Sequence, residues 1–141
     1  MKLDVQHAGR PFLRLHDFDQ EELRRFRERV AGLAAGVCQA VPLHEEPYIQ
    51  PPNGCHLTLR VGAVDLGIEH TVVCRLSCGD ATAEWPDSYV CELTREGWLR
   101  VGWGIDLLLP SRFLCGEYVW LHKQWEGHGA VAWLLSPTGE W

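Results

Sequence analysis

Methionine and lysine are nearly absent from this chain: one Met and two lysines, Lys2 and Lys123, in 141 residues. A long apolar run is missing too. The stretches around Ile105–Leu109 and Ala130–Leu135 fall well short of the roughly 18 residues that read as a membrane span. No membrane association is therefore expected. The opening MKLDVQHAGRP has no apolar core of the kind a secretory signal needs, which predicts a cytoplasmic protein. Positive charge is scarce as well. Lys plus Arg is 13 against 19 Asp plus Glu, a formal net charge of −6. Phosphate contacts need a concentrated positive surface, so nucleic acid is not an expected partner, and a basic protein fits better.

Motif absences narrow the chemistry further. Six cysteines stand at positions 38, 55, 74, 78, 91 and 115, with no C-x-x-C pair among them. Cys74 and Cys78 lie in β-branched surroundings that favour a strand, where residues four apart are roughly 13 Å from one another, too far to share one metal. Without a secretory signal, buried reduced thiols are expected rather than disulfides. His44-Glu45-Glu46 lacks the second histidine of a zinc-protease helix. Gly102-Trp103-Gly104 lacks the third glycine and the lysine of a phosphate loop. No metal and no cofactor is expected. Cys115, beside Gly116 and near Arg112, is the least core-like cysteine and the best candidate for a reactive thiol.

The length suits one domain able to bury its own core. A hydrophobic fraction of 46% with 23% charged residues is that of a folded globular chain. We see no internal repeat and no linker, so residues 1–141 are taken as a single domain. The clearest element is a helix from Asp19 to Ala35. Asp19 and Glu22 have capping-box spacing, Phe18 precedes the cap, and Gly36 suits the left-handed stop. Leu23, Phe26, Val30, Leu33 and Val37 recur at helical spacing. The arginines at 24, 25, 27 and 29 form the only basic cluster, and pairs such as Glu21–Arg25 make it a solvated, salt-bridged face.

Strands are expected over Phe12–His16, Cys55–Val61, Thr71–Cys78 and Tyr89–Thr94, where apolar residues alternate with polar ones. Four prolines and Asn53-Gly54 mark Pro42–Gly54 as loop. The strands at 71–78 and 89–94 are predicted to pair with residue numbers summing to 165, which sets Cys74 against Cys91. A second helix is predicted from Thr94 to Leu109 on Trp98, Val101, Ile105 and Leu108, despite three glycines. Last comes a hairpin of Glu117–Lys123 and Ala130–Ser136, with Trp120 facing Leu135 and His122 facing Trp133. The expected class is α+β: an antiparallel sheet with about two helices on one face, in the order β-α-β-β-β-α-β-β.

All seven tryptophans follow residue 84: Trp85, Trp98, Trp103, Trp120, Trp125, Trp133 and Trp141. Aromatic residues dominate binding hot spots, so Tyr118, Trp120, His122, Trp125 and Trp133 of the tail hairpin are the candidate binding residues. Trp120, Trp125 and Trp141 are the ones expected at the surface. The function we expect is that of an acidic, non-enzymatic protein-interaction module, of the type of a small bacterial inhibitor or immunity protein. One alternative is a small hydrolase-like enzyme in which at least two of His56, His122, His128 and Cys115 converge. The other is a small-ligand or glycan binder that uses exposed Trp.

Overall fold

A computed structural model describes residues 1–6, 12–52, 54–65, 67–70, 88–109, 117–122 and 132–139. Both helices start where their caps predict. In α1 (Gln20–Ala35) the Asp19 carboxylate accepts from the Glu22 N–H, and Glu22 returns the bond to the Asp19 N–H, closing the capping box. Gly36 ends it at φ 74°, a left-handed conformation in which L side chains are strained. That turn carries Val37 out of the helical stripe, and it is 85% exposed rather than part of the core. The second helix, α2 (Arg95–Asp106), begins at Thr94, whose hydroxyl accepts from the Gly97 N–H. Its three glycines are tolerated because the inward stripe of Trp98, Val101, Ile105 and Leu108 is buried.

The strands are β1 (Lys2–Gln6), β2 (Phe12–His16), β3 (Ala40–Pro42), β4 (His56–Val61), β5 (Gly67–His70), β6 (Ser88–Leu93), β7 (Val119–His122) and β8 (Ala132–Ser136). The class is α+β, as expected. The single antiparallel sheet is not what forms. There are two four-stranded sheets, ordered β1-β2-β8-β7 and β3-β4-β6-β5, each with a parallel pair at its centre. Besides β5, which lies just before the strand expected at 71–78, two strands escaped the sequence reading. In β1, Leu3 and Val5 point inward. The other, β3, is three residues long and ends on Pro42, which an edge strand accepts. A 3-10 turn, Leu43–Glu45, follows it within the expected loop.

An internal repeat does exist, in topology rather than in residue identity. Each half of the chain runs hairpin, helix, hairpin: β1-β2, α1, β3-β4, then β5-β6, α2, β7-β8. Exchanging the halves turns one sheet order into the other. The buried residues Leu23, Phe26, Val30 and Leu33 map onto Trp98, Val101, Ile105 and Leu108 by a constant 75 residues. The central parallel registers, Phe12↔Ala132 and His56↔Ser88, map onto each other by a constant 76. The helices pack together at the centre of this two-fold relation. There Arg27 and Gly102, equivalent positions, touch: a Cβ on Gly102 would lie 3.0 Å from the Arg27 guanidinium carbon.

Both sheets and both helices feed one core, in which Phe26 of α1 meets Trp133 of β8 edge-on at 5.7 Å. Two registers differ from those expected. Along β5 and β6 the paired numbers sum to 159, not 165, with Ile68 opposite Cys91. The far side of Cys91 is taken by Leu59, so β6 offers no free edge there. The expected strand 71–78 lies outside the described residues. In the tail hairpin His122 faces Trp133 as expected, but a bulge between Trp120 and His122 sets Trp120 opposite Leu134 rather than Leu135.

Candidate functional site

One side of α2 packs on the core, and the other faces outward. Leu99, Trp103 and Leu107 recur at i, i+4 and i+8 and are 41%, 58% and 72% exposed. At a rise of 1.5 Å per residue they form a stripe roughly 12 Å long. Arg100 and Glu96 flank it, within 3.8 Å of each other. Asp65 holds the start of the helix: its carboxylate accepts from the Thr94 N–H at 2.7 Å, from the Thr94 hydroxyl at 2.8 Å and from Arg100 at 2.9 Å. The far end is tied by a two-pronged ion pair between Arg27 and Asp106, which holds the Asp106 carboxyl below its ordinary range. The stripe thus sits on a rigid element. Three large apolar side chains in a row on an outward helix face are unusual for a surface that serves only solvation.

The residues singled out in the tail hairpin divide. Tyr118, just before β7, is 46% exposed. Trp120 is half-buried and meets Phe12 edge-on at 5.8 Å. Trp133 is fully buried, which places it in the core and not on a contact surface. His122 takes the ladder position opposite it. Trp125 and Trp141 lie outside the described residues. Val119 and Leu121 pack on the core, and α2 rests against β7. The stripe itself was missed. Its signal was present in the sequence, as the i, i+4, i+8 complement of the inward stripe of the same helix.

Elsewhere, polar groups are tied to one another. On the outer face of the first sheet, Asp4 accepts from Arg14 at 3.0 and 2.6 Å, and His16 Nε2 lies 3.1 Å away. The other ring nitrogen of His16 is 3.4 Å from Asp17. Burial alone would raise the Asp4 carboxyl, yet Arg14 and His16 hold it below its ordinary range. With a carboxylate at each ring nitrogen, His16 presents neither to a substrate. On the second sheet His44 stacks on His56 with centroids 4.3 Å apart, and His44 Nδ1 lies 3.2 Å from the Leu57 carbonyl. The loop histidine is therefore half-buried, not fully solvated. The expected arginine face is likewise partly engaged. Arg25 pairs with Glu21, while Arg27 and Arg29 reach Asp106 and Glu46 in other segments. A 260 Å³ cleft beside Arg29 is lined also by Arg25, Glu28, Glu46, Pro47 and Tyr48.

Of the four groups an enzyme reading brings together, His56 and His122 stand on different sheets, and Cys115 and His128 lie outside the described residues. Cys38, Cys55 and Cys91 are free thiols. Burial pushes the Cys91 thiol far up, which makes it a poor nucleophile. Among the described residues, no three His, Cys, Asp or Glu side chains gather as metal ligands, and no helix is long and apolar enough to cross a membrane. No family model, curated protein or solved structure matches the chain.

Proposed function

We propose that this chain acts as a small cytoplasmic, non-enzymatic protein-interaction module, in the manner of a bacterial inhibitor or immunity protein, and that its contact face is the outer side of α2. One observation carries the reading: Leu99, Trp103 and Leu107 form an exposed apolar stripe, and at the first two of these positions the equivalent helix has the charged Arg24 and Glu28. Trp103 is the anchor, since an exposed Trp on a rigid helix offers a large contact area with few rotamers to freeze. The net charge of −6 supports a partner with an apolar pocket and a basic rim, because opposite charge speeds encounter.

The test compares two equivalent positions. A photo-crosslinking residue is placed at Trp103 and, separately, at Glu28, its counterpart on α1. A defined adduct from position 103 alone identifies the partner. Binding of that purified partner should then weaken by about 30-fold on Trp103→Ala, as for an interface hot spot. Identical adducts from both positions, or undiminished binding by the Trp103→Ala chain, would overturn the reading.

A further inference from the structure

The two-fold relation divides the chain within residues 62–65, between β4 and β5. Neither side of that division holds a complete sheet. Each supplies one hairpin to the first sheet and one to the second. What joins the halves is extensive: the parallel pairs β2·β8 and β4·β6, the α1·α2 packing, the Arg27–Asp106 pair, and the Trp98 indole N–H donating to the Arg60 carbonyl at 3.0 Å. Arg95 of the second half also donates to the last carbonyls of α1, Ala34 at 3.0 Å and Ala35 at 2.6 Å. A half taken alone would leave the inner edges of two hairpins and an apolar helix stripe uncovered.

The connection is short and lies outside the core. It passes over the end of β6, where the Gly62 N–H donates to the Leu93 carbonyl. A Cβ at Gly62 would meet the Glu92 side chain, which would have to shift to admit it. Ala63, Val64 and Asp65 are exposed. Crossing two ladder spacings requires about 10 Å, and the six steps from Val61 to Gly67 reach at most about 20 Å.

We propose that the partner this architecture fits is a second copy of the chain, which exchanges halves: residues 1–61 of one copy pair with residues 67–139 of the other. The strand pairs and the helix packing between halves then recur between chains, while the connection from Val61 to Gly67 takes another path. That is the condition under which exchanged dimers form. The exchange is independent of the α2 face, which remains exposed in both forms.

The experiment uses the full chain, unfolded and then refolded at micromolar and at millimolar concentration, with mass read by light scattering after gel filtration. Millimolar refolding yields a dimer of twice the chain mass. It survives dilution and returns to monomer only through unfolding. Deleting Ala63 and Val64 cuts the reach of the connection to about 13 Å, close to the required span, and raises the dimer-to-monomer ratio about tenfold or more, whereas inserting Gly-Ser-Gly-Ser after Ala63 lowers it by a similar factor. Trp103→Glu leaves both ratios unchanged. Monomer alone after millimolar refolding of the natural chain overturns the proposal, whether or not the shortened chain folds. So does a dimer that dissociates on simple dilution or is abolished by Trp103→Glu, since that dimer is a surface contact through α2.

Discussion

Helices α1 and α2 are equivalent in topology and match on the inside, yet they differ on the outside. Facing the core, Leu23, Phe26, Val30 and Leu33 answer Trp98, Val101, Ile105 and Leu108. Facing solvent, Arg24 and Glu28 of α1 stand where α2 has Leu99 and Trp103. The sheets show the same contrast. Arg14 and His16 on the outer face of the first sheet answer Val90 and Glu92 on the second, and Leu134 and Ser136, both fully buried, answer Thr58 and Arg60. Inward positions are constrained alike in both halves because one close-packed core must accept both. Outward positions are free to diverge, so the places where equivalence fails are where a specific task is written into the chain.

Breaking the matched interior should cost most. Phe26→Ala deletes a fully buried ring against Trp133 and is expected to lose about 4 kcal/mol in urea unfolding. Its counterpart Val101→Ala removes two methyl groups and should lose about 2 kcal/mol. Equal losses would show that the two helices do not carry unequal shares of the core.

Next come the unmatched outer faces of the sheets. Asp4→Asn leaves Arg14 without its carboxylate in a nearly buried site and should cost about 3 kcal/mol. In the second sheet Arg60 of the Arg60–Glu92 pair is 53% exposed, and Glu92→Gln should cost less than about 1 kcal/mol. The acid limb tests the Asp4 cluster further. The Asp4 carboxyl is lowered in the fold, so its contribution is complete above the ordinary carboxylate value and is lost as pH falls through the lower folded value. A pH series of thermal melts should show a shallower acid decline for Asp4→Asn than for the natural chain.

Smaller effects belong to the caps. Asp19→Ala removes the capping-box bond accepted from the Glu22 N–H, and Thr94→Ala removes one bond to Gly97 together with the hydroxyl that binds Asp65. Each should cost about 1 kcal/mol by thermal or urea unfolding. The smallest effect sharpens the contrast most. Trp103→Glu should change stability by less than about 0.5 kcal/mol, because the side chain is 58% exposed. A large destabilisation would mean that Trp103 is structural and that the helices differ for folding reasons alone.

Much of this was legible in the residues. Caps and 3.6-residue spacing gave both helices, and strict alternation gave β2, β4 and β6. Leu3 and Val5 alternate with Lys2 and Asp4 as clearly as those strands do, so the pattern of β1 is present in the residues too. With three residues and a proline, β3 is too short to carry a period. Strand pairing was less accessible, since β2 lies beside β8 from the opposite end of the chain and local pattern does not encode such a neighbour. The repeat was hidden because equivalence preserves burial and not identity: Phe26 answers Val101, and Leu57 answers Trp133. For the candidate site, the aromatic content of the tail drew attention to the hairpin, where Trp133 proved to be core. Trp103 went unnoticed in a helix read only for its inward face.

The parallel pair β2·β8 joins residues 12–16 to residues 132–136. During synthesis at about 5–20 residues per second, β1 and β2 leave the ribosome several seconds before β8 exists. Until then the inner edge of β2 is open and Phe26 of α1 lacks its contact with Trp133. The first half must therefore remain soluble while unfinished, a demand set by the order in which the chain is made. The Arg- and Glu-rich exterior of α1 meets it before the second half arrives.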